Sequence, residues 1–227
     1  MYVDNDDAFL EEYKTIFNKY SDIIYYIIGP KIGVPKAFNL LASKVNEEFI
    51  MMFNDDLEVQ TLGWDKTFKN FVKDIKDHIF VAFFNDGINF DKHAAFPIIS
   101  KKHWFDLVGY SSTDLIFQHN DTWIYSIGVM LKRTIYFDQI KLVHNHGYST
   151  KEFQDKTFIY NRNKLKILKD HLIFLLLFPK RLYSYKILKK KTQPLRADIF
   201  EKKSKFKVEL NNLLEILILS LKLFIGK

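Results

Sequence analysis

The sequence contains no cysteine in its 227 residues. That excludes a disulfide frame and any thiolate metal site, so a bound metal must rely on Asp, Glu, His or backbone oxygens. No apolar run reaches the roughly 20 residues that a membrane-crossing helix needs. The first residues, Met1-Tyr2-Val3-Asp4-Asn5-Asp6-Asp7, are acidic and lack the basic start and apolar stretch of a secretory signal. The expected location is therefore cytoplasmic, with peripheral contact at a membrane left open. What is present is a 48% hydrophobic composition, which excludes a disordered chain and suits one substantial core with or without an appendage.

The net charge of +7 hides a division. Residues 151–227 hold 19 Lys and Arg against 7 Asp and Glu, whereas residues 1–150 hold 15 against 20. An acidic body carries a basic tail, and a basic tail is suited to an anionic surface.

The body is organised around Phe49-Ile50-Met51-Met52-Phe53-Asn54-Asp55-Asp56. Five apolar residues run into two carboxylates. So short an apolar run predicts a strand buried on both faces, as in a parallel sheet, and ligands bind at the carboxyl edge of such sheets. Adjacent carboxylates repel, and a hard divalent cation bridging to phosphate oxygens is the usual way to hold them. A solvated turn that happens to contain two Asp is the competing reading.

Around this stretch the pattern alternates. Tyr2-Val3 ends a strand, apolar spacing of three and four predicts a helix over 8–20, and 22–28 predicts a second strand ending at Gly29-Pro30. Residues 37–45 predict a helix before the strand at 49–53. This alternation is that of a doubly wound α/β fold. Further on, helices are predicted over 66–75 and 122–132, the latter with Asp121 as N-cap, and strands over 79–84, 135–137 and 140–143. Three polar groups thus each follow an apolar run: Asp55-Asp56, Asn85-Asp86-Gly87 and His144-Asn145-His146. Alternate residues of an extended segment share a face, so His144 and His146 can address one ligand, although a lone His in such a place is often structural.

The ordered set resembles nucleotide-sugar-dependent glycosyltransferases of the GT-A fold, family-two-like. The matching residues are Asn54-Asp55-Asp56, Thr61, Gly63-Trp64-Asp65, Asn85-Asp86-Gly87, Phe96-Pro97-Ile98-Ile99-Ser100, Trp104, Gly109-Tyr110, Asn120-Asp121-Thr122-Trp123, Lys132-Arg133 and His144-Asn145-His146. The resemblance implies a GT-A, Rossmann-like mixed sheet flanked by helices over residues 1–160, with residues 161–227 as a basic amphipathic helical extension. It also implies that the family's first strand–helix unit is absent from this chain. By the resemblance, Asp56 with His144 and His146 coordinates Mn²⁺ or Mg²⁺, and Asp4, Asp6, Gly33, Asn39 and Asp55 border the donor nucleotide. Asp121 is then the general base of an inverting transfer, and Trp64, Asp86 and Trp104 face the acceptor, the two tryptophans having core packing as their competing role. The implied partners are a nucleotide-sugar donor and a glycan or lipid-linked acceptor.

From about Asn161 the resemblance fades. Residues 172–178 are wholly apolar but too short to span, Lys189-Lys190-Lys191 follows, and 211–225 has a polar face of Asn211, Asn212, Glu215 and Lys222. These features suit the surface of an anionic membrane, or helices packed on the body with their lysines in water. No nucleic-acid partner is expected, because no aromatic-basic module is present. Two other functional classes stay open: a metal-dependent phosphoesterase built from Asp55, Asp56, Asp121 and His144, and an inactive or partial glycosyltransferase-like protein at the membrane.

Overall fold

The computed structural model describes residues 1–144 and 163–194. Its first elements are β1 (Tyr2–Asp4), α1 (Leu10–Lys19) and β2 (Ile27–Gly29), with β1 and β2 paired in parallel. Glu11 and Glu12 in the first turn of α1 and Lys19 in its last complement the helix dipole. Only the end of the expected 22–28 strand pairs, because residues 21–23 turn back on Tyr20. α2 (Val34–Lys44) starts earlier than its apolar spacing predicts. Pro35 lies in its first turn, where a missing N–H costs nothing, and Gly33 precedes it at φ +82°.

The main sheet has five strands in the order β3-β6-β5-β7-β4, formed by β3 (Phe49–Met51), β4 (Leu57–Val59), β5 (Val81–Asn85), β6 (Ile98–Ser100) and β7 (Thr134–His144). β5 runs parallel to β7, and the other pairs are antiparallel. The sheet is mixed and flanked by helices, an α/β arrangement compatible with a Rossmann-like fold. The expectation that the 49–53 run is a strand buried within a parallel sheet is corrected. β3 is an edge strand, antiparallel to β6, in which Ile50 is buried while Phe49 and Met51 are partly covered. The strand buried on both faces is β5. Its residues alternate between two cores: Val81 and Phe83 face α5 (Asn120–Leu131), and Ala82 and Phe84 face α3 (Trp64–Val72).

The two strand-like runs expected at 135–137 and 140–143 are one strand, β7, broken by a bulge. Phe84 pairs with Phe137, but the next residue, Asn85, pairs with Lys141. The looped-out segment lets β7 follow β5 with its first half and β4 with its second. A π-helical turn (Lys101–Phe105) leads into the short α4 (Asp106–Val108).

The described part of the basic tail forms α6 (Lys164–Leu176) and α7 (Phe178–Lys191), and both pack on the body. Phe174 and Leu188 join the core that holds Trp123 and Ile127. Arg181 is buried with its guanidinium over the Phe174 ring at 3.7 Å and near Trp123. A buried Asp77–Arg133 ion pair, 2.6 Å, ties down the chain beyond α7 through the Gln193 backbone, whose N–H donates to Asp77 Oδ2 at 2.6 Å. His146 and the amphipathic stretch 211–225 lie outside the described residues. Among the described residues no helix is long and apolar enough to cross a membrane.

Candidate active site

Two clusters form where strands of the main sheet end. The first joins the turn after β3 to the end of β7. His144 Nε2 lies 3.1 Å from Asp56 Oδ2, because β4 brings residue 57 into register with His144. The other oxygen, Asp56 Oδ1, is buried with no hydrogen-bond partner among the described residues. A carboxylate oxygen and an imidazole nitrogen are donor types that divalent cations take. No group of three or more His, Asp or Glu residues suited to a metal occurs among the described residues. Asp55 is exposed.

The second cluster is at the start of α5. Asp121 does not cap this helix as expected. His119 occupies the cap position at φ +66°, and Asp121 lies in the first turn. There Asp121 Oδ2 meets His93 Nε2 at 2.8 Å, and Oδ1 accepts from the Thr122 backbone N–H at 2.6 Å. Burial works against ionisation of Asp121, but the His93 charge and hydrogen bond and the Thr122 N–H outweigh it, so the carboxyl lies below its ordinary 3.8. Burial likewise works against protonation of His93, and Asp121 and then Asp86 overcome it, raising His93 above its ordinary 6.5. The His93 ring stands edge-on to Tyr125 at 5.2 Å. His119 behaves oppositely. Buried against His171 and stacked on Phe174, it falls to about 3 and stays neutral.

The segment between His93 and Phe96 connects the clusters. His93 binds Asp121, and the Phe96 ring stands edge-on to His144 at 4.9 Å. Along this segment Ala94 belongs to the core of Phe83 and Tyr125, and Phe96 belongs to the core of Ala82 and Phe84, so residues 93–96 pass from one side of the sheet to the other and touch both pairs.

A third region borders the second cluster. Because β1 and β2 are parallel, the loops at their carboxyl ends are neighbours: Lys31 Nζ is 3.8 Å from Asp4 Oδ2. Asp4 lies above its ordinary value because burial outweighs Lys31, and Asp6 is exposed. The same loop meets residue 116: Val34 N–H donates to the Ile116 carbonyl at 3.2 Å. The segment 116–118 is itself held by α6, where the buried Asp170 carboxylate accepts the N–H groups of Ile116, Phe117 and Gln118 at 2.8–3.0 Å. Asp4 thus meets Lys31, and Val34, three residues further on, meets Ile116, which lies five residues before Asp121 in the chain.

Several expected site residues have structural partners instead. Asn39 accepts from the Tyr110 N–H and donates to the carbonyls of Pro35 and Ser111, which uses its whole amide on the fold. Asp86 is buried and caps the N–H groups of Ile88 and Asn89, while its second oxygen takes the Asn89 amide. Trp64 is partly exposed and packs edge-on against Phe84. Trp104 is fully buried in the core, so its ring has no face left for a sugar, which corrects the acceptor-side expectation for that residue. Sequence reading missed His93, Asp170 and His171. His93 lies 28 residues from Asp121 and Asp170 lies 52 or more from the amides it caps, and no local spacing marks either contact. No family model, curated protein or solved structure matches this chain.

Proposed function

We propose that the chain is a GT-A-type glycosyltransferase that moves a sugar from a nucleotide-sugar donor to a hydroxyl of a glycan or lipid-linked acceptor. The observation that carries this reading is that Asp56 pairs with His144 and Asp121 pairs with His93, both in contact with the segment 93–96. Glycosyl transfer needs these two kinds of chemistry in one site: anion stabilisation at the leaving diphosphate and proton removal at the acceptor.

Asp56 and His144 would hold Mn²⁺ or Mg²⁺, for which the unpaired Asp56 Oδ1 is suited. The cation would supply Lewis-acid stabilisation of the departing diphosphate. Asp4, Asp6 and Gly33 line the nucleotide end, and Asp55, exposed at the same edge, faces the ribose. Asp121 takes the proton of the acceptor hydroxyl as its oxygen bonds to the anomeric carbon. The bond from that carbon to the diphosphate oxygen breaks, and the nucleoside diphosphate leaves with the electron pair. Attack from the side opposite the leaving group inverts the centre. His93 orients the Asp121 carboxylate, and the neutral His119 adds no charge to oppose proton transfer.

The test is isothermal titration of the full chain with UDP and GDP, with and without Mn²⁺, alongside Asp56→Ala. The expected result is binding that requires Mn²⁺ and disappears in the variant. Binding that ignores the metal, or that persists in Asp56→Ala, overturns the reading.

A further inference from the structure

We propose that the outer face of α6, continued by the lysines of α7, seats this protein on an anionic lipid surface. α6 buries Asp170, His171 and Phe174 against the body. On its opposite side Leu165, Lys169, Leu172 and Leu176 fall at intervals of four, three and four residues, which aligns them in one stripe along the helix. The three leucines are 75%, 49% and 76% exposed, so the stripe is apolar and uncovered by any described residue. A helix that exposes leucines on the side away from its own core has a second apolar face, and a second apolar face calls for a second medium.

The charge around the stripe identifies that medium. Residues 163–194 carry nine Lys and Arg against the single Asp170, and that carboxylate is buried and spent on backbone amides. Lys164 and Lys169 flank or interrupt the stripe. One residue beyond α6, α7 begins with the exposed Phe178 and carries Lys186, Lys189, Lys190 and Lys191 outward. Tyr183, exposed on the same helix, lies beside these lysines. Apolar side chains entering the acyl boundary, with lysines at headgroup depth, are the combination by which interfacial helices recognise anionic lipid. A nucleic acid would use the lysines and leave the leucines in water, and a protein groove would not need this excess of positive charge. The placement does not depend on the glycosyl-transfer reading.

The chain's lack of cysteine makes the test direct. A single L172C substitution labelled with an environment-sensitive fluorophore reports the stripe, and L62C, at a residue 98% exposed on the turn before α3, serves as the control. Each is mixed with vesicles of phosphatidylcholine alone or with 30% phosphatidylglycerol. A blue shift for L172C with the anionic vesicles only, and none for L62C, is expected. In co-sedimentation, L165E/L172E/L176E in the otherwise natural chain is expected to bind these vesicles at least about tenfold more weakly, with an unchanged melting transition. Any of the following overturns the proposal: no shift at position 172, equal shifts at both positions, equal sedimentation of the triple variant, or retention on single-stranded DNA without vesicle binding.

Discussion

His93 Nε2 lies 2.8 Å from Asp121 Oδ2, and each residue shifts the other's titration. Asp121 is lowered in the folded chain, so it adds stability above its ordinary 3.8 that is lost as pH falls through the folded value. His93 is raised, so it adds stability below its ordinary 6.5 that is lost as pH rises through the folded value. The pair is therefore worth most between those limits. His93→Gln is expected to destabilise by about 1 kcal/mol at pH 5.5, a modest figure because both side chains are partly exposed, and by less at pH 9. Urea titrations of both proteins at the two pH values measure this, and an equal penalty at both sinks the assignment.

Asp170 allows a sharper contrast. Its carboxylate accepts three consecutive backbone N–H groups in a buried position. Asp170→Asn keeps one acceptor oxygen, which can serve Phe117 and Gln118, but turns its NH₂ toward the Ile116 N–H. It is expected to cost about 1–3 kcal/mol, clearly less than Asp170→Ala, in which all three donors are stranded. Chemical denaturation reads the difference. Equal losses in the Asn and Ala variants would mean that the remaining oxygen of Asn does not reach the Phe117 and Gln118 N–H groups.

The contrast between these two pairs and the Asp56–His144 contact shows what the sequence discloses. Asp56 and His144 each follow an apolar run, so strand logic alone put them at one edge. Asp121 was expected as a helix N-cap and, by resemblance, as a base, but its contact with His93 was not expected, since the 93–97 segment has no periodic pattern and the contact is made by tertiary packing. The 49–53 run was misread because aromatic rings cover an edge strand: Phe68 and Phe80 pack on Phe49 at 5.1 and 5.8 Å, so the residue is apolar without lying in the middle of a sheet. In the tail, net charge averaged away the one carboxylate, Asp170, that anchors α6, and it hid Arg181 among exposed lysines although that residue is buried.

Glycine substitutions separate backbone strain from steric contact. Gly33 and Gly63 both sit at positive φ, +82° and +70°. A Cβ on Gly33 would stand 2.8 Å from the Ile116 carbonyl oxygen, whereas one on Gly63 meets nothing within 4 Å. Gly63→Ala is expected to cost about 1 kcal/mol from the left-handed conformation alone. Gly33→Ala carries that strain plus displacement of the 116–118 segment, about 2–4 kcal/mol in all. Equal losses in thermal denaturation would show that the Gly33–Ile116 contact is soft.

The Asp77–Arg133 pair tests how firmly the C-terminal helices belong to the body. Asp77 Oδ1 accepts from Arg133 Nη1 and from the Ile79 N–H at 3.0 Å, Oδ2 accepts from the Gln193 N–H, and Arg133 also donates to the Ile79 and Gln193 carbonyls. Both side chains are buried, so removing one partner strands a charge. Asp77→Leu and Arg133→Met are each expected to cost about 3–5 kcal/mol, whereas the double variant loses less than the sum because no unpaired charge remains. Each single variant removes one hydrogen bond to the Gln193 backbone, the acceptor of its N–H in Asp77→Leu and the donor to its carbonyl in Arg133→Met, so limited proteolysis should cut after Lys191 sooner in both than in wild type. Additive losses in a double-mutant cycle would mean that Asp77 and Arg133 act independently, and that the chain beyond α7 is secured by Leu188 and its core neighbours rather than by this pair.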